Sequence, residues 1–297
     1  IGRTMKISEV SMTADGSEIM CFSLSTPKDN DRFYIRTMIG MDATDIVSRS
    51  TGFGLYSGQP FVTQAITDRE VVLRVVLNPS WGLREDYSTL RDDIYRGISK
   101  SRDGTVKLWL KDEGIYIATI TGVITKVEVP LFSSTPELQI TIRCPEAMLV
   151  APEAQDVYPE DFTNESFSTP FVGKVTDSES TAPHGLLITA KVDQAGMNKF
   201  YIQDGQQSGD VHEWRFEINY AFEANDVLTV DTRTRKRAIF VTRGVNRIDL
   251  MNAISLESTW PTIYPGPNPL ELAFTDGSTY NAWTLLTFKH HATYWGI

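Results

Sequence analysis

Val106–Val129 reads VKLWLKDEGIYIATITGVITKVEV, and this stretch decides the fold. Val106 to Leu110, Ile115 to Thr121 and Val123 to Val129 are runs of β-branched and aromatic residues of strand length. Asp112-Glu113-Gly114 between the first two supplies the turn chemistry of a hairpin. Leu138 to Arg143 adds a fourth run, so a meander of strands occupies the centre of the first half.

Immediately upstream lies the one convincing helix. Leu83, Tyr87, Leu90, Ile94 and Ile98 recur at spacings of three and four and lay one apolar stripe over about four turns. Asp86 is placed to cap its N-terminus, Glu85, Arg91, Asp92, Arg96 and Lys100 form the opposite face, and Asp103-Gly104 ends it. Further upstream, Val71 to Leu77 is a buried strand stopped by Asn78-Pro79, and Thr51 to Pro60 (TGFGLYSGQP) is a glycine-rich loop. Arg32 to Ile39 is another strand, and Met5 to Leu24 reads as two strands around an Asp15-Gly16 turn. The first half is therefore expected to be mainly β with one packed helix, residues 1–150 forming an N-terminal sandwich-like domain.

Between Cys144 and Pro183 prolines 145, 152, 159 and 170 are spread among acids, with few periodic apolar positions. Residues 151–182 are accordingly expected to be an acidic, proline-rich linker. From Gly185 short strand candidates recur every eight to twelve residues: Leu186–Val192, Lys199–Gln203, Glu213–Tyr220, Val227–Asp231, Arg237–Thr242, Leu270–Phe274 and Trp283–His290. That rhythm, without a long helical period, predicts an antiparallel β-sandwich over residues 183–297.

The chain has 297 residues, 41% of them hydrophobic and 22% charged, enough for two folded domains. Its net charge is −10; the count is 17 basic to 19 acidic residues through Val150 and 11 to 19 beyond it, so the second half is the acidic one. A negative protein is unsuited to gripping phosphate backbones as its main task. No apolar run approaches the roughly 20 residues of a membrane span, and Ile1 to Val10 lacks the order of a signal peptide, so a soluble chain without an export address is expected. Cys21 and Cys144 are the only cysteines and are read as two buried thiols in a reducing compartment rather than a disulfide.

The chemistry-bearing residues do not assemble into a catalytic motif. Neither GxGxxG nor GxxxxGK[ST] occurs, which excludes the common nucleotide loops. His290-His291 is the one pair at metal-ligand spacing, but strand neighbours point to opposite faces, so one inward structural histidine is expected and no metal or cofactor. With His184, His212, His290 and His291 present, a Ser or Cys nucleophile paired in space with a histidine stays open, although no GxSxG elbow supports it. Asp92-Asp93 would face apart on a helix and is read as a solvated face rather than an acid pair for glycoside cleavage. The run Arg233, Arg235, Lys236, Arg237 is read as a solvated hairpin rather than a phosphate patch. Trp214, Trp260, Trp283 and Trp295 all fall in the second half, where core or interface packing is favoured over a platform for sugars. No catalytic set is visible, which points to binding or assembly.

The order of segments resembles that of the siphophage distal tail proteins, which form the ring joining tail tube to tip. The matching residues are Arg69-Glu70-Val71-Val72-Leu73, the helix with Tyr87, Leu90, Arg91 and Ile94, the hairpin through Lys107-Leu108-Trp109-Leu110, the strand Ile115 to Thr119, and Arg143-Cys144-Pro145. In the second half they are Asp226 to Thr232, Trp260-Pro261, Tyr264-Pro265-Gly266-Pro267-Asn268-Pro269-Leu270 and the terminal Tyr294-Trp295-Gly296. Pro267 stands between Gly266 and Asn268 and lengthens the family's PGN turn. The resemblance implies a non-enzymatic, homohexameric ring built from the first domains, with galectin-like or carbohydrate-module-like second domains projecting outward. Its implied partners are other copies of itself, the tail tube, hub and tape-measure proteins, and side-fibre or receptor-binding proteins. DNA passes through the lumen without sequence-specific binding, no membrane insertion is involved, and the protein is assembled in the host cytoplasm into the virion tail tip. A carbohydrate-binding protein acting in host attachment is the alternative, and a polysaccharide hydrolase would need a carboxylate pair that the sequence does not show.

Overall fold

The chain builds two β units, and the strands of each follow from alternating apolar positions that need a common interior. In this computed structural model, residues 7–24, 32–42, 46–50, 61–78, 86–101, 103–129, 137–156, 167–204, 214–233, 236–280 and 282–296 are described. One unit comprises Ile1–Pro152 together with Tyr294–Ile297, and the other Glu153–Thr293.

The first unit contains β1 (Glu9–Ala14), β2 (Ser17–Ser23), β3 (Phe33–Ile39), β4 (Ile46–Ser50), β5 (Phe61–Ile66), β6 (Arg69–Leu77), α1 (Tyr87–Ser99), β7 (Thr105–Asp112), β8 (Ile115–Glu128), β9 (Glu137–Cys144) and β10 (Leu149–Val150). The order in its main sheet is β10-β8-β7-β1-β2-β3-β6-β9, and β8 also pairs with β9, so the sheet closes on itself while β4 and β5 form a separate ribbon. Both quoted hairpins have two-residue turns with left-handed backbone, Asp15-Gly16 (φ 49° and 77°) between β1 and β2 and Glu113-Gly114 (φ 48° and 86°) between β7 and β8. Positive φ at both positions selects the type I′ turn, whose twist matches that of the strands.

The helix starts where the sequence places it, with Asp86 accepting a hydrogen bond from the Thr89 N–H at 2.7 Å. Its buried stripe is Leu90, Ile94 and Gly97, whereas Tyr87 is 44% exposed, and Leu83 and Glu85 lie outside the described residues. Gly97 has a packing reason: a Cβ there would stand 2.8 Å from Met20 Cε and 3.2 Å from the Ile19 carbonyl, so a small residue lets α1 settle on β2. Asp93, read as part of a solvated face, instead pairs with Arg32 at 2.6 Å. Cys21 is exposed and Cys144 buried, and both are free thiols. Exposure of Cys21 corrects the expectation of two buried thiols. The loop Thr51–Pro60 lies outside the described residues.

Arg69, the first residue of β6, is 3% exposed and ties distant parts of this unit together. Its Nε donates to the Ala147 carbonyl at 2.6 Å, Nη1 donates to the Gly40 and Asp42 carbonyls at 2.7 Å each, and Nη2 donates to the Trp295 carbonyl. Gly40 is forced, since at φ +90° a Cβ would lie 1.9 Å from the Glu70 carbonyl oxygen.

The second unit contains β11 (Gln155–Asp156), β12 (Phe171–Asp177), β13 (Leu186–Val192), β14 (Lys199–Asp204), β15 (Arg215–Asn219), β16 (Val227–Asp231), β17 (Ala238–Arg243), β18 (Asn246–Asp249), β19 (Gly266–Thr275) and β20 (Trp283–His290), and the chain ends in β21 (Thr293–Tyr294), which pairs with β10. One sheet has the order β11-β20-β13-β16-β17-β18 and the other β12-β19-β14-β15. Between them lie Leu186, Ile188, Ala190 and Val192 of β13 and Phe200, Phe216, Phe274, Phe288 and Trp283, all buried. β12 falls inside the segment read as a linker: Phe171, Gly173, Val175 and Asp177 point inward in strict alternation. A glycine and an aspartate occupy two of the four inward positions, which hides the apolar period from the sequence.

Replacing Arg69 by Leu is expected to remove the one side chain that donates to the Gly40, Asp42, Ala147 and Trp295 carbonyls together. At roughly 1–3 kcal/mol for each buried unsatisfied group, partly offset by water, the loss should be at least about 3 kcal/mol in urea unfolding. A loss below about 1 kcal/mol would show that the guanidinium is dispensable.

Candidate functional site

The four tryptophans separate into three environments. Trp283 on β20 has no exposed surface and packs against Phe167 (centroids 4.9 Å apart) and Phe274 (5.8 Å). It fills the sandwich core and presents no face to a sugar or a partner, which removes it from the candidate site residues. Trp295 groups with the first unit, where its carbonyl is the acceptor for Arg69 Nη2. This corrects its placement in the sandwich.

Trp214 and Trp260 are brought together. Both are half-buried on the flank of the core, and with Asp204, Thr259, Tyr264 and Asn268 they line a groove of about 490 Å³ in the second unit. Trp214 directly precedes β15, and the segment carrying Trp260 is hydrogen-bonded alongside it through the Thr259 N–H to the Arg215 carbonyl at 2.8 Å. Trp260 lies 5.1 Å from Phe216, and the Arg237 guanidinium sits 4.9 Å from the centroid of its indole ring. Pro261 is fixed from behind, because Thr232 Oγ1 donates to its carbonyl at 3.0 Å while accepting from the Leu186 N–H at 2.8 Å.

The turn leading into β19 forms the other wall. Asn268 Nδ2 donates to the Tyr264 and Gly266 carbonyls at 2.8 Å each, and Asn268 Oδ1 accepts from the Tyr264 N–H at 2.9 Å. Gly266 has φ +98°, and Pro267 is accommodated at the start of β19 opposite Thr176. The longer turn is therefore held by one amide side chain that replaces backbone hydrogen bonds. Tyr264, 57% exposed, stands at this rim. Tyr264 and Asn268 belong to the quoted motif, but sequence alone does not mark them as neighbours of Trp214.

The basic run is dispersed by the fold. Arg233 is neutralised by a two-pronged bond to Asp231 at 2.8 and 2.6 Å, Arg237 stacks on Trp260, and Arg235 lies outside the described residues. The cysteines are poor nucleophiles. Burial pushes the Cys144 thiol up to about 12 against the opposing charge of Arg69, and partial desolvation of its sulfur followed by the hydrogen bond with Glu9 raises the otherwise exposed Cys21 to about 11. His184 and His290 meet inside the second unit, whereas His212 lies outside the described residues.

Residues 179–291 match the family model described as the siphovirus-type tail component, C-terminal domain. No curated protein matches the chain in sequence. Among solved structures, the SPP1 Dit protein, described as a paradigm of the hub adsorption apparatus in phages infecting Gram-positive hosts, is 16% identical. The match covers 95% of this chain and 98% of that one, with a TM-score of 0.60. Two structures of the phage P2 baseplate in its activated conformation, with Ca and with Sr, are each 9% identical, with TM-scores of 0.47 and 0.44; they cover 96% and 95% of this chain and 97% of the respective chains.

The second unit is therefore a sandwich similar to the C-terminal domain of siphovirus-type tail components. At 16% identity, the likeness to the SPP1 Dit structure over nearly the full length of both chains shows a shared fold.

The burial contrast gives a direct expectation. Trp283→Ala should destabilise the protein by roughly 3–5 kcal/mol through lost transfer energy and a cavity, whereas Trp260→Ala at the groove should cost less. Equal effects in chemical denaturation would contradict the two environments.

Proposed function

We propose that this protein is the ring of a phage tail tip. Six copies associate through their first units, join the tail tube to the hub, and hold side-fibre or receptor-binding proteins on their second units. The observation supporting this reading is the likeness to the SPP1 hub protein over nearly the full length of both chains, together with the family match of the second unit.

The first unit offers the physical means. Its closed sheet leaves few strand edges to be satisfied by a neighbour, so association falls to side chains. Ile115 (65% exposed) and Tyr116 (47%) stand at the β7–β8 hairpin, Ile39 is 50% exposed at the end of β3, and Tyr87 and Tyr95 project from α1. Apolar and aromatic groups at such positions are what a heterologous, ring-closing interface would bury. The host cytoplasm is the proposed place of assembly, before the tail is complete.

Light scattering and electron microscopy of the purified chain are expected to show rings of about six copies, alone or with tube or hub protein present. Ile115→Asp with Tyr116→Asp should shift the population to monomers without unfolding it. A protein that stays monomeric under all these conditions and is missing from virions would end the proposal.

The groove supports a second reading, sugar binding. Trp214, Trp260 and Tyr264 are half-open rings beside polar groups, the composition of a saccharide platform. Arg237 already lies over Trp260, and a pyranose stacking on that face would have to displace it, so the groove suits a protein anchor better. Glycan-array binding lost on Trp260→Ala would favour the sugar reading, and silence across arrays would discard it.

A further inference from the structure

Asp177, His184 and His290 converge inside the second unit, and all three are buried. Asp177 ends β12 in the four-stranded sheet, and His290 ends β20 in the six-stranded sheet. His184 lies on the connection from β12 to β13 and is fixed by backbone hydrogen bonds to and from Ile263 at 3.0 and 2.9 Å. One histidine of the His290-His291 pair was expected to be inward and structural; His290 is the buried one, and its neighbours come from parts of the chain that the sequence does not link.

The carboxylate is oriented with one oxygen to spare. Asp177 Oδ1 accepts from the N–H groups of Glu179 and Ser180 at 3.1 and 3.0 Å. Oδ2 is buried without a hydrogen-bond partner and faces His184 Nδ1 at 3.7 Å. His184 Nδ1 also lies 3.3 Å from the Ala182 carbonyl, and its Nε2 lies 2.6 Å from His290 Nδ1. One ligand atom from each of the three side chains lies within 4.8 Å of the other two.

We propose that this cluster binds a divalent transition ion of the zinc type, held by His184, His290 and Asp177, and that the ion staples the two sheets of the sandwich. A hydrogen-bonded histidine pair alone would leave the buried Oδ2 without a partner, whereas a cation satisfies it. Two imidazole nitrogens and one carboxylate oxygen form a donor set that zinc accepts at about 2.0–2.2 Å and that magnesium and calcium do not favour. Ligand atoms around such an ion stand roughly 3.3 Å apart, so the imidazoles open slightly and the carboxylate closes in through side-chain torsions. The outer contacts that aim ligands are already made, Oδ1 by two amides and His184 by the Ala182 carbonyl.

The test uses the full chain stripped by a chelator and titrated with Co²⁺ and then Zn²⁺. One Co²⁺ per chain with visible ligand-field absorption, displaced by Zn²⁺, is expected, together with a Zn²⁺-dependent rise in the unfolding temperature. Asp177→Asn keeps the acceptor for the two amides but removes the charge, and His290→Gln removes a nitrogen; each should weaken Co²⁺ binding at least about tenfold. No saturable binding by the folded wild type, or binding kept within about twofold by both variants, overturns the proposal. If a variant fails to fold, X-ray absorption of the Zn²⁺-loaded wild type decides: two imidazoles in the first shell support the site, and a shell without imidazole refutes it.

Discussion

A single strand with two partners organises the first unit. β8 is fourteen residues long and pairs through Ile115–Val123 with β7, then through Val123–Glu128 with β9. Because a sheet stays open unless its first and last strands meet, this hand-over is what closes the barrel. Gly122 stands at the crossing, where a Cβ would lie 2.6 Å from Ile142 Cγ2, 2.7 Å from Cys144 Sγ and 2.8 Å from the Arg143 carbonyl oxygen. Register shifts on each side, between Leu110 and Lys111 and between Ile124 and Lys126, let the strand bend from one neighbour to the other.

Closure leaves the irregular segments to be tied by something other than strand pairing, and Arg69 does this. A buried guanidinium that spends its donors on four backbone carbonyls is an unusual use of charge, since burial costs its solvation. Several charge-assisted hydrogen bonds to carbonyls offset that cost. The arrangement joins the start of β6 to the last residues of the chain. It also gives one physical meaning to two separate pieces of the family resemblance, the Arg69-Glu70 strand start and the terminal Tyr294-Trp295-Gly296.

In the second unit, side-chain hydrogen bonds do comparable work for loops. Asn268 closes the Tyr264–Gly266 turn and Thr232 holds Pro261, so the two motif segments that frame the groove are shaped by one amide and one hydroxyl. A rigid rim fits the proposed assembly role, because preorganised contacts lose least freedom on binding. The aromatic and arginine composition of the groove fits that use.

Local pattern was enough for much of this. The strands from Val106 to Arg143, although the two runs Ile115 to Thr121 and Val123 to Val129 form the single strand β8, the Asp86 cap, the Asp15-Gly16 turn and the strand rhythm beyond Gly185 were legible because each depends on residues a few positions apart. The resemblance of the second half to a siphovirus-type tail component was legible because short motifs follow in a fixed order. Tertiary structure alone decided the rest: that β8 meets β9, that Phe171–Asp177 is an inner strand despite its glycine and aspartate, and that Trp283 is core while Trp214 and Trp260 share a groove. It alone brought Asp177, His184 and His290 together, His184 and His290 being 106 residues apart. The physical reason is the same throughout. Hydrophobic period and turn chemistry are local properties of the chain, whereas barrel closure, burial of a given ring and convergence of ligand atoms depend on which distant segments share an interior.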